Sequence, residues 1–181
     1  MSEAERILDE DAIVRTVRRI GAAIIEATGG AGDVALVGIR RGGVPLARRI
    51  ATAMAEETGA TVPVGVVDIT LYRDDAATAL PQPKVGPSQI AFDVADRDIV
   101  LVDDVLQTGR TVRAAIDHLL DYGRPRRIWL AVLCDRGGRE LPIAADFVGR
   151  QVDVPPGARL EVRFDDPPDR VELVASKGTP A

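Results

Sequence analysis

The sequence is poor in the residues that build disulfides and metal centres. Its 181 residues include one cysteine and one histidine, and aromatic side chains make up only 3%. A single cysteine excludes an internal disulfide framework, and one cysteine with one histidine argues against a zinc site. No apolar run approaches the length of a membrane span, and the acidic N-terminus lacks the basic and apolar regions of a signal peptide. We therefore expect a cytoplasmic protein with no membrane partner.

What is present is typical of one globular domain. Apolar residues make up 46% and charged residues 28% of the chain, which is long enough to bury a sizeable core as a single domain over residues 1–181. The net charge of −5 argues against indiscriminate binding to nucleic acid, although it allows a local basic patch. The basic residues are nearly all arginine, a residue type suited to phosphate recognition.

The most informative stretch covers residues 99–111, IVLVDDVLQTGRT. Its apolar start predicts a strand buried on both faces, and two adjacent carboxylates, Asp103 and Asp104, follow. A short polar turn then leads into a helical pattern. Ligands of open α/β sheets bind beyond the carboxyl ends of the strands, so this junction predicts a site.

The residue types at the junction suggest which ligand it takes. Thr108, Gly109, Arg110 and Thr111 stand at a predicted helix N-terminus, where N–H groups and the helix dipole favour a phosphate. Asp103 and Asp104 would repel a phosphate, but they suit hydroxyl groups, a metal ion or a cationic transition state. A phosphate and hydroxyls so close together describe a ribose 5-phosphate. A lone pair of aspartates is more often a solvated strand end, but the whole string favours a site.

The rest of the chain alternates predicted strands and helices, which indicates a mostly parallel, doubly wound sheet. Gly29 and Gly30 end the first helix, and Pro45 stands in the first turn of the second. His118 and Trp129 are expected to be structural, and Cys134 to be an inert buried thiol. The predicted helices cover residues 9–28, 45–58 and 112–122, and the predicted strands cover 34–39, 62–69, 90–94, 99–102, 128–133, 147–148 and an antiparallel hairpin around residues 165–169.

Two further loops carry possible function. Arg40, Arg41, Gly42 and Gly43 follow a strand and precede a helix, which makes a second anion site plausible beside the alternative of a glycine turn with solvated arginines. Residues 70–90 contain three prolines and no regular pattern, and a long loop of this kind is typically a lid or a disordered segment.

These motifs resemble those of a known family. Residues 99–111 resemble the phosphoribosyl-pyrophosphate (PRPP) signature of type I phosphoribosyltransferases. LYRDD (71–75), GRPRRIWLAVLCDRGGRELPI (123–143) and ADFVGR (145–150) resemble its branch of bifunctional pyrimidine-operon regulators and uracil phosphoribosyltransferases. The resemblance runs from about Leu8 to about Arg150.

The resemblance implies the type I phosphoribosyltransferase fold, with a flexible lid loop and a C-terminal β hairpin, and a transfer of uracil to PRPP that yields UMP. The implied cofactor is Mg²⁺ held mainly by PRPP, with no firm protein ligand. Asp103 and Asp104 are the implied catalytic residues. The implied PRPP contacts are Arg40, Arg41, Gly42, Asp103, Asp104, Val105, Leu106, Gln107, Thr108, Gly109, Arg110 and Thr111; the implied lid residues are Tyr72, Arg73, Asp74 and Asp75; and the implied base-side residues are Asp135, Arg136 and Gly137.

The resemblance also implies binding of the pyrimidine operon leader mRNA when UMP or UTP is bound, and a homodimer or larger homo-oligomer. Arg18, Arg139 and Arg150 are the candidate RNA contacts. The chain departs from the family's common residues on this surface: Arg18 and Ala22 replace threonine and histidine, Gly138 replaces histidine, and Ala144 replaces arginine. Two alternatives stay open: a transferase for hypoxanthine or guanine, and a catalytic homologue without RNA binding.

Overall fold

A computed structural model describes residues 4–70 and 88–176. Within these residues the chain forms a sheet of five strands, a smaller sheet of three strands, and three helices. The elements in chain order are β1 (Glu5–Leu8), α1 (Glu10–Thr28), β2 (Val34–Ile39), α2 (Gly43–Thr58), β3 (Val64–Val67), β4 (Asp98–Leu106), α3 (Arg110–Leu120), β5 (Arg127–Asp135), β6 (Phe147–Gln151), β7 (Ala158–Arg163) and β8 (Arg170–Ala175).

The larger sheet has the order β3-β2-β4-β5-β6, and every pairing in it is parallel. Helices α1 and α2 pack with one face of this sheet and α3 packs with the other, so each face has its own apolar core. This arrangement confirms the doubly wound α/β fold. Strand β4 lies at the centre, so the residues at its carboxyl end are surrounded by neighbouring strands and loops.

Helix α1 has the cap, the terminating glycine and the buried stripe that its sequence pattern predicts. Asp9 caps its start by accepting a hydrogen bond from the Ala12 N–H at 2.8 Å, and Gly29 ends it in the left-handed region at φ 73°. The buried residues Ile13, Val17, Ile20 and Ile24 form one stripe, as predicted. None of the helices in the described part of the chain is both long and apolar enough to cross a bilayer.

The smaller sheet places the predicted hairpin beside the first residues of the chain. Strands β7 and β8 pair antiparallel, as expected, and β1 adds to the other side of β8. Strand β1 was not predicted from the sequence. Buried Leu8 and Val171 join this sheet to the core beneath α1 and α2.

The expectation of a strand over residues 90–94 is wrong. Among residues 88–94 only Gln89 pairs with the main sheet, through an isolated antiparallel bridge to Val66. A Cβ added to Gly65 would lie 3.2 Å from atoms of both Ile90 and Phe92, so these side chains pack onto the bare backbone of β3. Their apolar character reflects this cover over an edge strand, not pairing.

Candidate active site

The paired carboxylates lie within β4 and not at its end. The strand continues to Leu106, which corrects the prediction that it stops at the apolar run. Asp103 is buried, and its Oδ1 accepts a hydrogen bond from the Asp104 N–H at 3.0 Å. Oδ1 of Asp104, which is half-buried, accepts one from the Val105 N–H at 2.9 Å. These bonds to local backbone donors set the orientation of both carboxylates.

A cavity of about 610 Å³ opens at this end of β4. It is lined by residues 103–112 together with Arg136, Glu140 and Leu160. The structure therefore places both carboxylates, the turn that follows them and the predicted base-side residue Arg136 around a single cavity. Glu140 and Leu160 were not named among the predicted site residues. Glu140 lies within the motif of residues 123–143, whereas no motif marks Leu160, which reaches the cavity from the C-terminal hairpin.

The turn after the carboxylates, residues 107–111 (the phosphate loop), begins helix α3. Gly109 has φ 90°, and a Cβ there would lie 3.2 Å from Cβ of Ile143, so both its conformation and its packing favour glycine. The Thr108 hydroxyl accepts a hydrogen bond from the Arg110 N–H at 3.2 Å. The first N–H groups of a helix lack partners within it, which makes this loop suited to an anion.

The loop of residues 40–43 (the pyrophosphate loop) lies beside the carboxylates. Its Arg40–Arg41 peptide bond is cis. A Cβ on Gly43 would lie 2.1 Å from the Val102 carbonyl oxygen, so the loop packs directly on the backbone of β4. A second cavity, of about 370 Å³, adjoins the first and is lined by Arg41, Gly42, Pro45, Asp104, Val162, Phe164 and Asp165. Asp104 lines both cavities, and the hairpin residues form a wall that sequence reasoning missed.

Arg40 does not line either cavity in this structure. Its Nε lies 3.4 Å from Oδ2 of buried Asp68. Oδ1 of Asp68 accepts hydrogen bonds from Thr70, at 3.0 Å from N–H and 2.6 Å from the hydroxyl. The Asp68 N–H donates to Ser88 Oγ, which lies 2.8 Å from Nε2 of His118. The structural role of His118 stays a prediction. Asp68 is a functional candidate whose only sequence signal is its place after β3.

The base-side residues lie at the end of β5, the strand next to β4. Burial raises the pKa of Asp135, but hydrogen bonds from Arg139 and the Gly137 N–H outweigh it, so that the pKa is lowered overall. Gly137 has φ 66°, and the Arg136 N–H donates to the Leu106 carbonyl at 3.0 Å. These contacts hold the segment of residues 135–143 (the base segment) beside the phosphate loop.

Two other predicted residues, Arg18 and Arg150, do not line these cavities. Tyr72, Arg73, Asp74 and Asp75 lie outside the described residues. Arg18 is exposed on α1, where it lines a separate cavity of about 400 Å³ between α1 and α2 that contains neither Asp103 nor Asp104. Arg150 donates to the Ile7 carbonyl at 2.9 Å. Contacts of Arg18 and Arg150 with RNA stay predictions.

Cys134 precedes Asp135 in β5 and does not line the cavity. Burial raises the pKa of its thiol to about 12, and the nearby Asp104 charge adds to the effect. A thiol with so high a pKa stays protonated at neutral pH and is a poor nucleophile. The sequence-based interpretation of an inert buried thiol is therefore confirmed.

Comparison with protein families and curated proteins gives consistent matches. Residues 3–156 match the model of the phosphoribosyl transferase domain. The chain is 56% identical over 162 residues to the bifunctional protein PyrR of Roseiflexus sp. (strain RS-1), covering 90% of this chain and 88% of that protein. It is 51% identical over 179 residues to the bifunctional protein PyrR of Chloroflexus aurantiacus, covering 99% of this chain and 98% of that protein. The bifunctional protein PyrR of Thermus aquaticus is 54% identical to this chain over 166 residues, covering 91% of this chain and 92% of that protein.

Solved structures of hypoxanthine phosphoribosyltransferases share the fold. A Trypanosoma cruzi enzyme in a ternary substrates complex superposes with a TM-score of 0.73 at 21% identity, covering 94% of this chain and 96% of that one. A hypoxanthine-guanine phosphoribosyltransferase of Bacillus anthracis superposes with a TM-score of 0.68 at 13% identity, covering 96% of this chain and 100% of that one. At these identities the likeness shows the fold alone.

Proposed function

Because this chain belongs to the phosphoribosyl transferase domain family and to its PyrR branch of bifunctional proteins, we propose that it makes UMP from uracil and PRPP and regulates a pyrimidine biosynthesis operon. The observation that carries the transferase activity is one cavity in which the paired carboxylates of β4 and the N-terminal loop of α3 face the same space. That space offers an anion site at one end and hydroxyl acceptors at the other, as PRPP requires. The proposed site of action is the cytoplasm.

In the proposed reaction the N1 atom of uracil bonds to C1 of the ribose while the bond from C1 to the pyrophosphate oxygen breaks. The phosphate loop holds the 5′-phosphate, and this fixes the position of the sugar. Asp103 and Asp104 accept hydrogen bonds from the ribose hydroxyls and stabilise positive charge that develops at C1. Arg40 and Arg41 stabilise the leaving pyrophosphate, which carries away negative charge. The uracil N1 proton is acidic enough to need little help, and Asp104 is a candidate acceptor for it.

Magnesium fits this site only together with the substrate. The carboxylate oxygens of Asp103 and Asp104 are the hard ligands that Mg²⁺ prefers, but octahedral coordination requires more oxygens than two side chains supply. We propose that PRPP provides most of them. When bound, Mg²⁺ would neutralise charge on the pyrophosphate and improve it as a leaving group.

Uracil is assigned to the side of the cavity formed by the base segment. Arg136 lines the cavity, and Asp135 and Gly137 shape the backbone next to it. The lid residues Tyr72, Arg73, Asp74 and Asp75 are proposed to cover the bound substrates, because exclusion of water protects the activated sugar.

The transferase proposal is tested by product formation. Purified protein with Mg²⁺ and PRPP is incubated with uracil, hypoxanthine or guanine in parallel, and nucleotide and pyrophosphate are quantified. We expect UMP from uracil and, because a site that hydrogen-bonds one base leaves its polar groups unpaired with another, a reaction slower by about 100-fold or more with either purine. Faster reaction with a purine would reassign the base, and no turnover of any base would reject the transferase function.

The regulatory proposal rests on membership of the PyrR family. We propose that UMP or UTP promotes binding to the pyrimidine operon leader mRNA, with Arg18 and Arg150 as contacts, and that the protein acts as a homodimer or larger homo-oligomer. A gel-shift titration compares the leader with a scrambled RNA, with and without UMP, while light scattering measures the mass of the protein. Equal and weak binding to both RNAs would reject the RNA function.

A further inference from the structure

The base segment and the phosphate loop are held together by backbone hydrogen bonds. The Glu140 and Leu141 N–H groups both donate to the Thr108 carbonyl, at 3.0 and 3.2 Å. The Arg136 N–H donates to the Leu106 carbonyl at 3.0 Å. Two parts of the chain that are distant in sequence therefore form one unit, so a shift of the base segment would also move the loop assigned to the 5′-phosphate.

Arg139 is the side chain that joins the parts of this unit. Its Nε donates to the Ile143 carbonyl at 2.8 Å and its Nη1 donates to the Gln107 carbonyl at 2.9 Å. Its Nη2 donates to Oδ2 of Asp135 at 2.5 Å. The guanidinium thus spans the end of β5, the far end of the base segment and the first residue of the phosphate loop. Only 25% of the Arg139 side chain is exposed.

The three acceptors require an arginine. They lie in different directions, and the planar guanidinium presents separate donors to each of them. A lysine ammonium could satisfy Asp135, but its compact charge does not match the spread of all three acceptors. Loss of the side chain would also leave the 9%-exposed Asp135 carboxylate without its cation, although the Gly137 N–H still donates to it at 2.9 Å.

We propose that Arg139 is a positioning residue of the transferase site, which fixes the distance between the base segment and the phosphate loop. This proposal rests on the proposed transferase function. It gives Arg139 a task beside the catalytic cavity, whereas the family resemblance implied a contact with RNA. Because Arg139 acts through Gln107 and Asp135, its loss should affect binding of both PRPP and uracil.

The test compares R139Q and R139K with R113Q. Arg113 is an exposed α3 residue that pairs with Asp117 outside the cavity, which makes it a matched control. We expect R139Q to lower kcat/KM for uracil by about 10- to 100-fold, since small misplacements in a site have effects of this size. R139K should be intermediate and R113Q unchanged. PRPP binding by calorimetry, which needs no turnover, should weaken by about fivefold or more in R139Q, as expected for loss of one charged hydrogen bond.

A second comparison separates positioning from simple neutralisation of Asp135. In D135N the carboxylate charge is gone while the Gln107 and Ile143 contacts of Arg139 can persist. We expect D135N/R139Q to have a lower kcat/KM and weaker PRPP binding than D135N, even where both unfold at the same temperature. Equal kinetics and PRPP affinity in these two variants would overturn the proposal.

The positioning role also predicts that R139Q still binds the leader RNA. In the presence of UMP, the affinity of R139Q for this RNA should stay within about twofold of wild type, whereas loss of a direct charged contact would lower it further. If R139Q instead loses RNA binding while its kinetics and PRPP affinity match wild type, Arg139 is an RNA contact and the positioning role is wrong. Absence of uracil turnover in wild-type protein would reject the proposed function, whereas calorimetry would still decide whether Arg139 positions the phosphate loop.

Discussion

Gly42 and Asp104 meet so closely that residue 42 has no room for a side chain. A Cβ at Gly42 would lie 2.1 Å from Oδ2 and 2.4 Å from Cγ of Asp104. The pyrophosphate loop therefore lies directly against one of the two carboxylates of β4. In the proposed reaction this loop stabilises the negatively charged pyrophosphate, and Asp104 stabilises the positive charge that develops on the sugar. These two parts of the site are therefore in direct contact.

Replacement of Gly42 by alanine tests this contact. The methyl group would force either the Asp104 carboxylate or the loop to move, so we expect kcat to fall by about 10- to 100-fold. Steady-state kinetics with uracil and PRPP measure the effect. Gly32→Ala is the control, because a Cβ at Gly32 has no neighbour within 4 Å. Wild-type kinetics in the Gly42 variant would mean that the loop can adjust without cost.

Replacement of Asp103 and Asp104 by asparagine tests their assigned role. Asparagine keeps the shape and can still bind hydroxyl groups, but it removes the charge that stabilises a cation-like C1. We expect a fall in kcat of about 100- to 1000-fold, as for other electrostatic contacts to a transition state, with little change in melting temperature. Thr111→Val should instead weaken PRPP binding and change kcat less. Wild-type turnover in the double asparagine variant would contradict the assignment.

The sequence predicted the elements whose signals are local. The cap residue Asp9 and the terminating Gly29 bound α1, and β2 occupies the predicted residues 34–39. The carboxylates and the phosphate loop were also predictable, because one continuous string contains a strand, acids and a helix start. Each of these features depends on neighbours within a few residues.

The parts that were missed depend on distant contacts. Asp68 becomes part of the site only because Arg40 on the adjacent strand end reaches it. Phe164 and Asp165 line a cavity because their hairpin folds back over α2, and β1 exists only through its pairing with β8. Nothing in the local sequence marks these pairings.

Asp68 gives a prediction for binding of PRPP. Asp68→Asn retains an acceptor for Thr70 but removes the charge opposite Arg40. We expect kcat/KM for PRPP to fall by about tenfold, which corresponds to loss of one hydrogen bond to a charged group, while KM for uracil stays unchanged. Asp117→Asn, at the exposed pair on α3, is the control. A change in the uracil KM alone would argue against the link to Arg40.

Arg49 gives a prediction for stability of the hairpin. Its guanidinium donates to Oδ2 of Asp169 at 2.6 Å and lies 4.5 Å from the ring centroid of Phe164. Arg49→Gln should lower the free energy of unfolding by about 1–2 kcal/mol, as the sum of a cation–π contact and a partly exposed ion pair. Urea denaturation measures this, with exposed Arg48→Gln as the control. Equal stability of the two variants would show that the hairpin does not depend on this contact.

Asp135 gives a prediction for stability against pH. Its pKa in the folded protein lies below the ordinary value, so the unfolded chain binds more protons at acidic pH and stability rises with pH across that window. The stability of wild type relative to D135N should therefore be constant above about pH 5 and shrink as the pH falls below about 4, where an ordinary aspartate is protonated. A difference that does not change with pH would contradict the lowered pKa.

The same measurement in R139Q should give a less positive slope. Burial raises the pKa of Asp135, and the hydrogen bond from Arg139 lowers it. Without Arg139 the pKa of Asp135 in the folded protein should rise from its wild-type position, towards or past the ordinary value of an aspartate. The stability of R139Q relative to D135N/R139Q should therefore rise less steeply with pH than the stability of wild type relative to D135N. If the two slopes are equal, the backbone donor at Gly137 and not Arg139 controls the charge of this carboxylate.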